Sequence, residues 1–186
     1  MRVAIICKKY SYPINYIRWL KLAGIEPTVV FKFSDLIKLA HVDGILFSGG
    51  GDVKPYFFGK KNVGNDFDLY RDILELLAFK QNKNKAMLGI CRGAQTINVF
   101  CGGSVKDIDN THFNVFHFFK KEKVFSLHRQ AIDELAPEFC IKQKIGSVIE
   151  EAHGKNKLLV QFHPERTNNG RILFLFKHLL KTQSIQ

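Results

Sequence analysis

Hydrophobic positions along this chain fall into two regimes. In the first half, short apolar runs alternate with stretches of helical spacing. Arg2 to Cys7, Pro27 to Phe31, Gly44 to Phe47 and Ala86 to Ile90 are apolar runs of the length of strands buried on both faces. Between them, Ile14, Ile17, Leu20 and Leu22 give Tyr12 to Ala23 a helical period, with Pro13 tolerated in the first turn and Gly24 placed to stop it. Ser34 is placed to cap a short helix reaching Leu39, Asp68 to Lys80 predicts a second helix, and Ala94 to Phe100 a third, closed by Gly102-Gly103. Strand alternating with helix predicts a mostly parallel sheet flanked by helices.

The second half carries hairpin signals instead. Phe113 to Phe119 and Lys123 to Leu127 flank the charged turn Lys120-Lys121-Glu122. Ser147 to Ala152 and Leu158 to His163 flank Gly154-Lys155-Asn156-Lys157. A last helix runs from about Gly170 to Lys181, with Ile172, Leu173, Phe176, Leu179 and Leu180 on its core face. The pattern shows no repeat, low-complexity segment or linker, so residues 1–186 read as one α/β domain with added β-hairpins.

Composition narrows the class. At 186 residues and 46% hydrophobic, the chain can bury a sizeable core. No apolar run reaches the roughly 18 residues of a membrane helix, and Val3 to Cys7 is too short for a signal peptide. Cys7, Cys91, Cys101 and Cys140 are scattered with no CxxC pair, which gives neither a zinc site nor a disulfide framework, and a required thiol fits the cytoplasm. Lys and Arg exceed Asp and Glu by 28 to 17, a net charge of +11. The basic residues are dispersed, as Lys8-Lys9, Lys60-Lys61, Lys120-Lys121 and within 80–85, and no nucleic-acid-binding motif accompanies them, so solvated loop charge is the expectation.

The chemistry centres on Cys91. The strand ending at Ile90 delivers this thiol into a turn bounded by Gly89 and Gly93, and a helix follows at once. Such a turn is crowded, which requires glycine at its edges, and the helix start favours thiolate over thiol. A thiol nucleophile needs a base, and the base an orienting group. Val160 to Glu165 offers both, as His163 and Glu165 around Pro164. Gly49-Gly50-Gly51 follows another strand and could turn backbone N–H groups toward an oxyanion. Ser126 to Ala131 supplies polar side chains at a strand end. Other candidates read as structural. His112 and His117, five apart in a strand, should point to opposite faces and bind no metal together. His41, His153 and His178 read as surface or element-end residues, Trp19 and the phenylalanines as core, Cys101 as packing, and Asp107 as a brace of the loop after Gly102-Gly103, with support of the site from behind as the alternative.

Taken together, Ser48-Gly49-Gly50-Gly51-Asp52-Val53-Lys54-Pro55, Arg71-Asp72, Leu88 to Gln95, Asn98-Val99, Gly102-Gly103-Ser104, Asp107-Ile108, Ser126 to Ala131 and Gln161 to Glu165 resemble the class I glutamine amidotransferase-like superfamily. Within it, the match is to the gamma-glutamyl-gamma-aminobutyrate hydrolase branch of the gamma-glutamyl hydrolases. The resemblance implies a flavodoxin-like fold, with Cys91 as nucleophile, His163 as base and Glu165 as its partner. It implies an oxyanion hole from the backbone of Gly50 and Arg92, and puts Gln95 and His128 beside the substrate. The implied reaction is hydrolysis of a small gamma-glutamyl amide through a thioester, with no metal or other cofactor. A glutaminase subunit serving a separate synthetase is the alternative, a catalytically silent relative is a third reading, and a homodimer is left open. Phe125, Arg129, Phe162 and Ser48 depart from common residues of that branch, so the substrate is less constrained than the chemistry.

Overall fold

The computed structural model describes residues 1–8, 13–59, 66–119 and 122–183. Lys9, Tyr12, Lys60-Lys61, Lys120-Lys121 and the rest of the segment between Gly59 and Asp66 lie outside those residues. A seven-stranded sheet forms the centre, with β1 (Arg2–Ile6), β2 (Glu26–Val30), β3 (Gly44–Phe47), β4 (Ala86–Ile90), β9 (Cys140–Ile145), β10 (Val148–His153) and β11 (Lys157–Val160) in the order β2-β1-β3-β4-β11-β10-β9. The first five in that order are mutually parallel, and β10 runs antiparallel to both its neighbours.

Alternation along the parallel strands divides the core in two. Val3, Ile5, Leu46, Leu88, Ile90 and Val160 face α1 (Ile14–Leu22) and α4 (Gly170–Gln183), where Trp19, Leu20, Ile172 and Phe176 are fully buried. Ala4, Ile6, Ile45, Phe47, Met87 and Leu159 face α2 (Leu69–Gln81) and α3 (Arg92–Phe100) through Leu74, Ala78, Ala94 and Ile97. Helices thus cover both faces, as a sheet with apolar residues on both sides requires. Asp68 caps α2 by accepting from the Arg71 N–H at 3.1 Å, and Gly24 (φ +69°) follows the end of α1.

Three expectations need correction. Residues 33–41 form a 3₁₀ segment rather than an α-helix capped at Ser34; Lys32 holds the cap position, and Asp35 accepts from the Phe31 N–H instead. Phe116, Phe118 and Phe174 are exposed rather than core, the first two on the outer side of a two-stranded ribbon with no sheet behind it. That ribbon, β6 (Phe113–Phe119) with β7 (Glu122–Leu127), also brings His112 and His117 together. The register slips between Phe113 and Val115, where Asn114 adopts φ +59°, and this extra residue reverses the alternation. His112 closes a 3₁₀ turn before the strand, and its ring centre is 4.6 Å from that of His117. A small antiparallel pair, β5 (Val105–Asp107) with β8 (Gln130–Ile132), completes the strands. Among the described residues, no helix is long and apolar enough to cross a membrane.

One glycine decides whether the elbow can form. A Cβ at Gly93 would lie 2.0 Å from the carbonyl oxygen of Phe47, a backbone atom of the neighbouring strand. Gly93→Ala should therefore exceed the roughly 1–3 kcal/mol typical of overpacking, read as a lowered denaturation midpoint or as loss of soluble protein. A midpoint equal to that of the parent chain would show that α3 sits less tightly on β3 than described.

Candidate active site

The site lies at the carboxyl ends of three adjacent parallel strands, the usual position for ligands in open α/β sheets. β3 runs out into Ser48-Gly49-Gly50, β4 into Cys91, and β11 into Gln161-Phe162-His163. Cys91 has φ +53° and ψ −113° and stands at the N-cap of α3. A non-glycine residue there costs of order 1–3 kcal/mol, which the surrounding structure must supply. The crowding is real on both sides: a Cβ at Gly89 would sit 2.6 Å from the Ala94 nitrogen.

His163 and Glu165 meet as their spacing suggests. His163 Nδ1 lies 2.7 Å from Glu165 Oε1, and both side chains are buried. The Cys91 thiol is near enough to act on the His163 ring, and its Sγ lies 3.9 Å from the Leu127 carbonyl oxygen. Burial alone would lower the imidazole pKa; the negative charge on Cys91 and the Glu165 carboxylate outweigh that and push it up to about 10. The His163 N–H donates to the Phe125 carbonyl at 2.7 Å, which ties the β7 ribbon to the site. Gly49 makes room for the ring, since a Cβ there would lie 2.8 Å from His163 Cε1.

The glycine loop is held from two sides. Its Gly49 N–H donates to Tyr16 Oη at 3.0 Å, from α1. Burial raises the Tyr16 pKa well above its ordinary value, so this group is a neutral phenol. From α2, Arg71 donates to the carbonyls of Gly49 (3.0 Å) and Ser48 (2.7 Å), and its Nε to Glu75 Oε1 at 2.8 Å. Glu75 also accepts from Arg92, which pairs with Asp72. The Arg92 side chain therefore points away from the thiol into α2, while its backbone opens α3. Burial pushes Asp72 up to about 6, opposed by Arg92 and reinforced by Glu75.

A cavity of about 410 Å³ opens beside Cys91, and Gly50, Arg92, Gln95 and His128 all line it. Gln95 and His128 are fastened to each other through one carbonyl: Gln95 Nε2 (2.8 Å) and His128 Nδ1 (2.9 Å) both donate to Gln130 O. Gln130 Nε2 in turn donates to Asp107 Oδ1 at 2.9 Å, so Asp107 braces the cavity wall. Cys101 packs at the edge of the core, and burial pushes its thiol up to about 12; Cys7 rises to about 11 for the same reason. His41 and His178 are exposed, and His153 is half-buried against Glu151 at 2.7 Å. Tyr16 and Glu75 escaped the sequence reading: Tyr16 acts across a long stretch of chain, and Glu75, though four residues from Arg71 on one helix, takes its role from Arg92 on another.

Comparison with known proteins places this geometry. The Peptidase C26 family model matches residues 5–122. The chain is 32% identical over 162 residues to the glutamine amidotransferase-like protein YvdE of Lactococcus lactis, covering 69% of this chain and 68% of that protein. It is 28% identical to a glutamine-hydrolyzing GMP synthase subunit of Pyrococcus abyssi, over 80% of each chain. A solved structure of a GMP synthase subunit from Thermoplasma acidophilum superimposes with a TM-score of 0.75 over 98% of this chain and 94% of that one, at 22% identity, which speaks for the fold. The chain belongs to the Peptidase C26 family of glutamine amidotransferase-like hydrolases.

Proposed function

We propose that this protein hydrolyses the gamma-glutamyl amide bond of a small gamma-glutamyl compound, with Cys91 as nucleophile. The observation that carries this reading is a buried His163–Glu165 pair acting on Cys91, a thiol that lines a cavity from a strained elbow. In the reaction, Cys91 sulfur attacks the gamma carbonyl and the charge moves to its oxygen. Backbone N–H groups of Gly50 and Arg92 receive that oxyanion; Gly49 is a poorer donor because Tyr16 already takes its N–H. Each such donor is worth roughly 3–4 kcal/mol in comparable sites. Protonated His163, steadied by Glu165, gives its proton to the departing amine. Water, deprotonated by the now neutral His163, then cleaves the thioester and frees glutamate. Gln95 and His128 form the wall against which the glutamyl group is held.

A second reading has its own support. The GMP synthase relatives, which are named as glutamine-hydrolyzing, fit a glutaminase that passes ammonia to a separate synthetase. Glutamate release from a panel of substituted gamma-glutamyl amides, with glutamine included, separates the two. A stand-alone hydrolase turns over a substituted amide much faster than glutamine. Slow release from glutamine alone points to the synthetase-dependent reading, and no release from any compound contradicts both.

The pH profile follows from His163. Its pKa is raised in the thiolate pair, so the proton needed by the leaving amine is present through neutral pH and lost as pH rises through about 10. The expected kcat/KM profile keeps its plateau well above neutrality and declines near pH 10. A decline centred near the ordinary imidazole value of about 6.5 would contradict the ion pair.

A further inference from the structure

Behind the cavity wall, three buried side chains from separate elements converge. His112 ends the turn before β6, His128 follows β7, and Glu150 lies within β10, fully buried. One nitrogen of each imidazole and one carboxylate oxygen lie within 4.8 Å of one another. His112 Nδ1 is 2.8 Å and His128 Nε2 3.4 Å from the same Glu150 oxygen. Neither approach has hydrogen-bond geometry: among the described residues, both nitrogens and both Glu150 oxygens are buried without a hydrogen-bond partner. A buried carboxylate in that state is costly unless a cation compensates it.

The proton positions sharpen this. The Gln130 carbonyl can only accept, so His128 Nδ1 carries the hydrogen in their 2.9 Å bond. With Nε2 unprotonated, its lone pair faces a carboxylate oxygen, acceptor against acceptor. A cation between them resolves the conflict. Metal-bound histidines characteristically donate their other N–H to a backbone carbonyl, which is the bond His128 makes. Donors bound at about 2.0–2.1 Å in a tetrahedron stand roughly 3.3 Å apart, close to the separations here. His117 lies beside the cluster, its Nε2 also buried without a hydrogen-bond partner among the described residues. A separate cavity of about 400 Å³, lined by His112, His117 and Asp109, gives a way in that does not pass Cys91.

We propose that His112 Nδ1, His128 Nε2 and Glu150 bind a divalent transition-metal ion of the zinc class, three protein donors that leave a fourth position to solvent. Two imidazoles and a carboxylate suit zinc, whereas magnesium and calcium prefer oxygen donors throughout. The ion joins the β6–β7 ribbon to β10 and fixes His128 and Gln130, the wall opposite the thiol. It takes no part in bond cleavage. The expectation from spacing, that His112 and His117 face apart, fails here because of the bulge at Asn114.

The test uses the full chain carrying Cys91→Ala, so that the active-site thiol contributes no ligand. After chelator treatment it is titrated with Co²⁺ and then Zn²⁺. The expected result is one equivalent of Co²⁺ per chain with the visible absorption of a four-coordinate site, displaced by Zn²⁺, and a Tm raised by either ion. Loss of even an outer partner weakens such sites about 10–100-fold, so His112→Gln should weaken binding by roughly 100-fold or more. Glu150→Gln serves if His112→Gln does not fold. No stoichiometric uptake by the folded chain would overturn the proposal and leave a charged histidine–carboxylate network. Uptake unchanged in both variants would overturn it equally.

Discussion

Replacing Cys91 with alanine should lower glutamate release by roughly 10⁴-fold or more, to a background set by the remaining oxyanion contacts. The size follows from the mechanism, because no other group in the cavity can form the thioester. Alanine keeps a Cβ in the same strained elbow, so the fold should survive and the melting temperature should change little. Glu165→Gln should be milder in kind but still severe. It leaves His163 a neutral partner in place of a carboxylate at 2.7 Å and withdraws one of the charges that hold its proton. The alkaline limb should then move toward neutral pH. Activity retained in Cys91→Ala, with the protein folded, would remove the nucleophile from the account.

The largest effect on stability should come from Arg92. Its guanidinium is buried and pairs with both Glu75 and Asp72; burial opposes its charge, and those two carboxylates outweigh the penalty. Arg92→Gln leaves two buried carboxylates with only Arg71 nearby. Removing one partner of a buried pair costs about 3–5 kcal/mol, and here one cation serves two anions. The sign of the pH dependence identifies the cause. Asp72 already titrates near 6, held up by burial against the pull of Arg92. Without Arg92 its pKa rises further, so the penalty is present when the carboxylate is charged and shrinks as pH falls through that raised value. The loss of stability in denaturant should therefore be smaller at about pH 5 than at about pH 8. Equal loss at both would mean that packing, not charge, is what the substitution removes. Because Glu75 also orients Arg71, the Ser48–Gly50 loop should loosen in the same variant, with an added fall in kcat.

The parts of this site that local sequence could carry were legible in it. Gly89, Cys91 and Gly93 mark a strand-to-helix elbow, because the cysteine and the glycines that make room for it lie within five residues of one another. His163 and Glu165 meet because Pro164 leaves them on one side of a short turn. The two-faced apolar strands implied the parallel sheet for the same local reason. What escaped was either weakly patterned or long in range. Strand β9 sets Lys142-Gln143-Lys144 in a row between two isoleucines on an exposed edge, so its pattern resembles a loop. Strands β5 and β8 have three residues each, too few for a period to register. Tyr16 reaches Gly49 from α1 and leaves no trace in spacing; Arg71 and Glu75 do show the i, i+4 spacing of a helical ion pair, but their link to Arg92 on a second helix does not. The His112–His117 reading failed at one residue, Asn114, whose positive φ inserts a bulge that period-two reasoning does not anticipate.

The central claim is that a glutamyl group passes through a thioester on Cys91. An activated gamma-glutamyl anilide, whose good leaving group makes acylation fast, tests it when the reaction is quenched in acid and digested for mass spectrometry. The expected result is one glutamyl adduct on the peptide that contains Cys91, and neither adduct nor anilide turnover in Cys91→Ala. Anilide turnover by Cys91→Ala, or an adduct on any other side chain, would contradict it.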